Sequence, residues 1–234
     1  MLTVTNLTKR YDETDALCDL SVTLEAGELT VLVGRSGAGK TTLLRCLDGL
    51  ERPDSGSVEL DGEPATPTDI ALVFQDGALL DRKSALENVI DGGLGRESTW
   101  RELLGWHGRE TKRAAIERLH AVGLDGYATR RVGDLSGGER QRVGIARALQ
   151  QELRVLLADE PVASLDPATA GTVLELLARV VRRRNLVGLV SLHQPTLADA
   201  VADRYLGLEA GRLVLDEPAS TVDDGRIAEV YSGG

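Results

Sequence analysis

Lysine and aromatic residues are both scarce in this sequence. Four lysines stand among 27 basic residues, and aromatic side chains make up 3% of the chain. Because 37 residues are acidic, the formal net charge is -10, which argues against a dominant electrostatic affinity for nucleic acid. Many carboxylates with few lysines suit a protein that works in high salt, and a GC-rich genome that favours arginine codons is the alternative explanation. Aliphatic side chains must fill the core.

Long apolar runs and cysteine patterns are also missing. No stretch approaches the roughly 20 uncharged apolar residues that a membrane-spanning helix needs. The first ten residues lack a basic start followed by a long apolar run, so we expect no signal peptide. Cys18 and Cys46 share no CxxC or zinc-like spacing, which predicts free thiols. We therefore expect a cytosolic chain that reaches a membrane only through a partner.

Apolar strands alternate with helical patterns along most of the 234 residues. This alternation predicts one α/β domain with a mostly parallel sheet. A closing hairpin is expected around the turn at 209–211. The predicted strands lie at 2–7, 20–24, 29–33, 57–60, 71–74, 155–158 and 186–192. The predicted helices lie at 41–50, 85–90, 111–122, 138–149 and 167–181.

A glycine-rich loop after strand 29–33 matches the pattern GxxxxGK[ST] and opens a helix, the context that supports a phosphate-binding loop. Its glycines let the backbone N–H groups turn inward towards phosphate oxygens, and the helix adds its positive N-terminal end. Lys40 is expected to contact the β- and γ-phosphates, and the Thr41 hydroxyl to bind Mg²⁺. The predicted nucleotide contacts in this segment are Gly34, Arg35, Ser36, Gly37, Ala38, Gly39, Lys40, Thr41 and Thr42.

Two acidic residues follow the apolar run 155–158. Asp159 is the natural carboxylate to organise the metal, through a metal-bound water. Glu160 comes next and can act as general base for the attacking water. An isolated Asp-Glu pair would more often be a surface feature, but the phosphate loop favours the catalytic interpretation.

The most specific segment of the chain contains Ser136, Gly137, Gly138 and Glu139 after Leu135, followed by a basic helix. Here the sequence resembles the ABC ATPases, whose signature is LSGGQ; Glu139 stands where Gln is commoner. Exposed N–H groups at this helix start would form a second anion site. The resemblance implies a head-to-tail homodimer, in which this segment of one copy closes over the γ-phosphate bound to Lys40 of the other.

Other positions match the same family in the expected order. The resemblance implies that Tyr11 stacks on adenine, although an ordinary Tyr at a strand end is the alternative. It implies that Gln75 contacts Mg²⁺ and water, so that the metal set is Thr41, Gln75 and Asp159. Asp166 matches the loop that crosses the dimer interface. His193 matches the switch histidine on the γ-phosphate, whereas a lone His at a strand end is more often structural.

The resemblance also implies the architecture: a P-loop NTPase with a RecA-like core, an N-terminal antiparallel β subdomain and an inserted helical subdomain. The whole chain, 1–234, would be a single ABC ATPase domain. Segments 1–75 and 151–234 are predicted to form the nucleotide-binding core with the β subdomain. Segment 76–150 is predicted to be the helical subdomain.

Both tryptophans, Trp100 and Trp106, lie in an insertion within 76–150. The insertion resembles that of the phosphonate importer ATPases. This implies ATP and Mg²⁺ as cofactors, separate membrane permease subunits, an external solute-binding protein and a peripheral place on the cytoplasmic face of the membrane. Alternatively, the tryptophans pack an amphipathic helix, and the importer carries phosphate, an amino acid or another solute. A regulatory ABC ATPase without transport is a further alternative; no nucleic-acid partner is expected.

Overall fold

The computed structural model describes residues 1–74, 79–93 and 108–232. Within these ranges, ten strands form two sheets and six α-helices are present. The strands are β1 (Leu2–Tyr11), β2 (Thr14–Leu24), β3 (Leu29–Val33), β4 (Ser55–Leu60), β5 (Glu63–Pro64), β6 (Ile70–Val73), β7 (Val155–Asp159), β8 (Val187–Ser191), β9 (Arg204–Glu209) and β10 (Arg212–Pro218). The helices are α1 (Lys40–Asp48), α2 (Ala85–Asp91), α3 (Arg109–Ala121), α4 (Gly137–Ala148), α5 (Pro167–Arg184) and α6 (Asp224–Ser232).

The larger sheet has the strand order β10-β9-β3-β8-β7-β6. Its strands run parallel except β10, which forms an antiparallel hairpin with β9. This arrangement confirms the predicted mostly parallel sheet and the closing hairpin. Strand β3 lies between β8 and β9, far from both in the chain, so the loop after β3 lies at a point where the strand order switches.

Both faces of the parallel sheet are buried, which explains why its strands are continuous apolar runs rather than alternating ones. In β7, Val155 and Leu157 belong to the cluster that also contains residues of α1 and the smaller sheet. Leu156 and Ala158 point the other way, into the cluster formed with α2 to α5. The period of two along a strand therefore divides the core into two layers on either side of the sheet.

The smaller sheet is antiparallel, with the order β2-β1-β4-β5. Strands β1 and β2 are longer than the predicted 2–7 and 20–24. Their pairing shifts register between Val4 and Leu7 and again beyond Leu7, and Asn6 and Asp19 adopt left-handed φ values of 49° and 53°. Such bulges interrupt the alternation of apolar and polar residues. The sequence pattern therefore did not indicate the end of β1 and the beginning of β2.

The helices lie close to their predicted positions. Helix α1 ends at Asp48 and is capped by Gly49, whose φ of 79° is left-handed. Helix α6 was not predicted from the sequence: it has only nine residues, and Gly225 and Ser232, at its two ends, do not favour a helix. In the described ranges, no helix is long and apolar enough to span a membrane. The division of the chain at 75/76 and 150/151 stays a prediction.

Candidate active site

The carboxyl ends of three adjacent strands meet at one edge of the large sheet. The phosphate loop follows β3, Asp159 ends β7, and Ser191 ends β8 directly beside Asp159 in the ladder. Ligands of open α/β sheets bind outside this edge. The sheet thus gathers the phosphate loop, the two acidic residues and His193, which are far apart in the sequence.

Two glycines make the phosphate loop possible. Gly34 has φ 149° and Gly39 has φ 104°, both outside the range that side chains favour. A Cβ at Gly34 would lie 2.4 Å from the carbonyl oxygen of Leu208, and one at Gly39 would lie 2.4 Å from that of Ala16. The loop can therefore fold tightly over β9 and β2 and enter α1 only with glycine at these two positions.

Lys40 begins α1 and is 5% exposed. Its Nζ donates to the carbonyl oxygens of Gly34 at 2.7 Å and Arg35 at 3.1 Å, so the side chain lies back across the loop. Burial lowers the pKa of Lys40, while the nearby charges of Glu160 and Asp159 act to raise it. One cation and two anions therefore converge under the loop.

The rest of the predicted nucleotide segment is accessible except Ala38, which is buried. Arg35, Ser36 and Gly37 are exposed at the tip of the loop, while Thr41 and Thr42 are half-buried in the first turn of α1. That first turn contains no acidic side chain. The positive end of the helix dipole is therefore not neutralised by an acid of its own first turn and can act on an anion.

Ser191 connects the two acidic residues. Its Oγ donates to Asp159 Oδ1 at 2.7 Å and accepts from the backbone N–H of Glu160 at 2.9 Å. Glu160 has a φ of 49°, so the chain turns sharply as it leaves β7. The sequence analysis did not single out Ser191; a polar residue at the end of an apolar strand next to Asp159 was the available signal.

Glu160 and His193 are in direct contact. His193 Nε2 lies 2.6 Å from Glu160 Oε1, with side-chain exposures of 46% and 22%. The two side chains line a small cavity of about 160 Å³ together with Leu165 and Leu197. The predicted general base and the predicted switch residue thus form one polar pair at the mouth of the site.

The segment at Ser136 forms a helix N-terminus with a reciprocal cap. Ser136 N–H donates to Glu139 Oε2 at 2.8 Å, and Glu139 N–H donates to Ser136 Oγ at 3.3 Å. Tyr127 donates to the other carboxylate oxygen at 2.7 Å. This bond and the Ser136 amide lower the pKa of Glu139. The Glu139 carboxylate is therefore engaged within its own chain.

The two glycines of this segment differ in exposure. Gly137 is exposed, whereas Gly138 is buried. A Cβ at Gly138 would lie 2.4 Å from Thr169 Cγ2, so this glycine allows α4 to approach the start of α5. The sequence assigned both glycines to an open anion site; in the structure, Gly138 also has a packing role.

Asp166 and Tyr11 lie in different surroundings. The Asp166 carboxylate caps α5 by accepting from Ala168 N–H at 3.2 Å and Thr169 N–H at 3.1 Å. Tyr11 ends β1 and is 40% exposed. Lys9 Nζ lies 5.2 Å from the centre of its ring, within the range of a cation–π contact.

Two further contacts reach the site from elements that the sequence analysis did not connect with it. Tyr231 of α6 donates to the carbonyl oxygen of Leu192 at 3.2 Å, next to His193. Gln141 of α4 is 3% exposed and its Nε2 lies 3.5 Å from the carbonyl oxygen of Phe74. Phe74 precedes Gln75, which lies outside the described residues.

The donor atoms at the sheet edge fit a magnesium ion. Mg²⁺ prefers oxygen ligands and is commonly bound through one or two carboxylates together with substrate phosphates. The Thr41 hydroxyl in the first turn of α1 and the Asp159 carboxylate supply such oxygens, and the Asp159 charge acts on the pKa of the neighbouring Lys40. Ser191 occupies one oxygen of Asp159 and leaves the other for a ligand or a bound water.

Comparisons with known proteins place this site in context. The family model described as ABC transporter matches residues 17–163. The phosphonates import ATP-binding protein PhnC 1 of Natronomonas pharaonis is 69% identical over 231 residues, which are 99% of this chain and 99% of the relative. The phosphonates import ATP-binding protein PhnC of Halobacterium salinarum is 46% identical over 232 residues, covering 98% of this chain and 83% of the relative.

A solved structure is similar in fold over nearly the same length. It is the dimeric structure of a post-hydrolysis state of an ATP-binding cassette bound to ADP and Pi. Its TM-score is 0.79 at 29% identity, and the match covers 94% of this chain and 99% of that chain.

Proposed function

This chain belongs to the ABC transporter family, and we propose that it is the ATP-hydrolysing subunit of an importer for phosphonates. The predicted resemblance to the ABC ATPases and to their phosphonate importer branch is confirmed, because both relatives above carry that name. The observation that carries the proposal is the 69% identity over 99% of both chains. The convergence of Lys40, Asp159 and Glu160 at one sheet edge supports the ATPase part independently.

ATP binding is assigned to the phosphate loop. The N–H groups of the loop and the first turn of α1 face the β- and γ-phosphates, and Lys40 exchanges its two carbonyl partners for phosphate oxygens. The position of Lys40 supports this exchange, because its Nζ already lies against the loop and donates to the carbonyl oxygens of Gly34 and Arg35. Tyr11 is assigned to adenine stacking, which its exposure permits.

Hydrolysis is assigned to Glu160 and His193. Glu160 takes a proton from the attacking water, and His193 contacts the γ-phosphate once ATP is bound. Glu160 Oε1 and His193 Nε2 lie 2.6 Å apart, so both side chains can reach the same γ-phosphate and its attacking water. Gln75 keeps its assignment as a contact to the water, although it lies outside the described residues.

Mg²⁺ would be held by Thr41 and Asp159, with Gln75 as a further predicted ligand. When bound, it neutralises charge on the β- and γ-phosphate oxygens during transfer. The chain itself orients the side-chain oxygens that would bind the ion. Thr41 is held in the first turn of α1, and the Asp159 carboxylate is held by its bond to Ser191.

The second half of each site is assigned to a second copy of the chain. Ser136 and Gly137 are exposed at the N-terminus of α4, so the positive end of this helix can face the γ-phosphate of the other copy. Asp166, as the cap of α5, would lie at the same interface. The dimeric ATP-binding cassette bound to ADP and Pi supports this assembly.

The remaining partners follow from import itself. A chain of this type drives a separate pair of membrane permease subunits from the cytoplasmic face, and an external solute-binding protein delivers the solute to them. The names of the relatives favour phosphonate over phosphate or amino acids. The residues of this chain bind ATP rather than the solute, so the solute's chemistry is tested in the assembled system.

Uptake measurements test the proposal. In cells that lack this chain, uptake of labelled methylphosphonate should fall to background while uptake of inorganic phosphate continues. The wild-type chain should restore uptake, and the chain with Lys40→Ala should not. Unchanged methylphosphonate uptake would contradict the phosphonate assignment. Loss of phosphate uptake instead would identify an importer for a different solute.

A further inference from the structure

Ser191 is completely buried at the end of β8, with 0% exposure, and its hydroxyl makes two hydrogen bonds to the acidic end of β7. The direction of both bonds is determined by chemistry. An ionised carboxylate can only accept, and a backbone N–H can only donate. The Ser191 hydroxyl therefore donates its one proton to Asp159 and accepts a hydrogen bond from the Glu160 amide.

The sheet holds this hydroxyl in register. Asp159 and Ser191 are paired in the parallel ladder between β7 and β8. Each is the last residue of its strand, and Ser191 Oγ lies 2.7 Å from Asp159 Oδ1. A rigid strand, rather than a loop, thus supplies the partner of the carboxylate.

The second bond restrains the residue that follows. The chain leaves the ladder at Glu160, which adopts a left-handed φ of 49°. A non-glycine residue holds such a conformation only when its surroundings stabilise it. The Glu160 N–H bond to Ser191 at 2.9 Å provides that restraint and thereby sets where the Glu160 side chain begins.

We propose that Ser191 is a positioning residue that orients Asp159 towards the divalent cation and holds Glu160 in place for the attacking water. The inference rests on the proposed ATPase function and assigns no contact between Ser191 and the substrate. Partners that orient a metal-binding side chain commonly change metal affinity or activity by about 10- to 100-fold when removed. If the Ser191 hydroxyl only stabilised the core, its removal would not change metal affinity.

The test compares the wild-type chain with Ser191→Ala and Ser191→Thr. Thr30→Val is the matched control, because Thr30 is 1% exposed in the adjacent strand β3 but has no role at the sheet edge. Three quantities are measured: the Mg²⁺ concentration for half-maximal ATPase, the Mn²⁺ affinity of the complex with a non-hydrolysable ATP analogue by electron paramagnetic resonance, and the ATP affinity in EDTA.

We expect Ser191→Ala to weaken Mg²⁺ and Mn²⁺ binding by about 10-fold or more, with ATP affinity in EDTA within about twofold of wild type. Ser191→Thr retains the hydroxyl and should restore metal affinity to within about threefold, and Thr30→Val should leave all three quantities unchanged. If Ser191→Ala does not fold, Ser191→Cys replaces it, because a thiol of similar size is a weak donor and acceptor.

Metal affinity within twofold of wild type in the alanine or cysteine variant would overturn the inference. An equal loss in Ser191→Thr and Ser191→Ala would do the same. The Mn²⁺ measurement requires no turnover, so it decides the role of Ser191 even if the wild-type chain does not hydrolyse ATP. That last result would count against the proposed function instead.

Discussion

At the scale of single residues, the contact between Glu160 and His193 shapes the chemistry of the site. Glu160 Oε1 lies 2.6 Å from His193 Nε2, and the backbone N–H of Glu160 donates to Ser191 Oγ. The backbone bond sets where the Glu160 side chain begins, and the contact to His193 sets where its carboxylate lies. Such restraint is what a general base requires, because its proton transfer depends on geometry first.

Glu160→Gln should retain ATP binding and reduce turnover by about 100-fold or more, because an amide preserves the shape and the contact to His193 but cannot take a proton. Phosphate release and the affinity for a fluorescent ATP analogue measure the two effects. Glu175→Gln, an exposed acid on α5, is the control and should match wild type. Turnover above one tenth of wild type in Glu160→Gln would refute its role as base.

A second residue-scale prediction concerns Asp48, the last residue of α1. Burial raises the pKa of Asp48 from its ordinary value of 3.8 to about 6. Between these values the folded chain binds more protons than the unfolded chain, so the free energy of unfolding decreases as the pH rises from about 4 to about 6. Above this range the ionised carboxyl is destabilising.

Asp48→Asn should therefore increase the free energy of unfolding above pH 6 by about 1–3 kcal/mol, the lower end allowing for partial solvation. Below about pH 4 it should have little effect, because the wild-type carboxyl is protonated in both states. Urea unfolding between pH 4 and 8 measures this profile. The exposed Asp134→Asn serves as control, and an equal gain at all pH values would contradict the mechanism.

At the scale of elements, two helices begin with the same device. Ser136 caps α4 with Glu139 three residues later, and Ser84 caps α2 with Glu87 three residues later. Both are complete capping boxes, in which serine and glutamate satisfy each other's N–H groups. Only the box at Ser136 is followed by glycine and matches the family's signature. Comparing the same substitution in both boxes therefore distinguishes a role in capping from a role at the nucleotide.

Ser136→Asp and Ser84→Asp should both fold like wild type, because Asp caps a helix about as well as Ser. Ser136→Asp should nevertheless reduce ATPase activity by about 10-fold or more, since it places a negative charge where the γ-phosphate of the other copy is proposed to bind. Ser84→Asp should retain activity. Thermal unfolding and phosphate release report the two properties, and equal activity in both variants would exclude a role of Ser136 at the nucleotide.

At the scale of the whole molecule, the formal net charge of -10 opposes association of two copies. Long-range repulsion between such surfaces is screened by salt, whereas contacts buried in an interface are screened much less. The proposed dimer with ATP at the interface should therefore form more readily as the salt concentration increases. A surface rich in carboxylates would in this way be compatible with function in high salt.

The chain with Glu160→Gln should elute with ATP and Mg²⁺ at about twice its 25.0 kDa mass, because ATP stays bound when hydrolysis is blocked. The dimer fraction should be larger in 0.5 M than in 0.05 M KCl, a ~10-fold change in ionic strength. Light scattering after gel filtration measures both, and Glu160→Gln combined with Lys40→Ala is the control without nucleotide. A monomer at all salt concentrations would contradict the head-to-tail dimer.

The sequence by itself determined the phosphate loop, the pair Asp159 and Glu160, and the segment from Ser136 to Glu139. Each is a short contiguous pattern in which residue type and spacing carry the chemistry. The parallel sheet followed from alternating apolar runs. The bulged strand β1 was predicted too short, because local irregularity breaks the periodicity on which such predictions depend. Helix α6 was not predicted, because nine residues offer few positions for a periodic pattern.

Only the tertiary structure decided which side chains hold these motifs in place. Ser191 lies 31 residues from Glu160 in the chain, Tyr231 lies 39 residues from Leu192, and Tyr127 lies 12 residues from Glu139. Strand register and helix packing set these contacts. Since hydrogen bonds require distances near 3 Å, a partner distant in the chain can be identified only once the fold has brought the two atoms together.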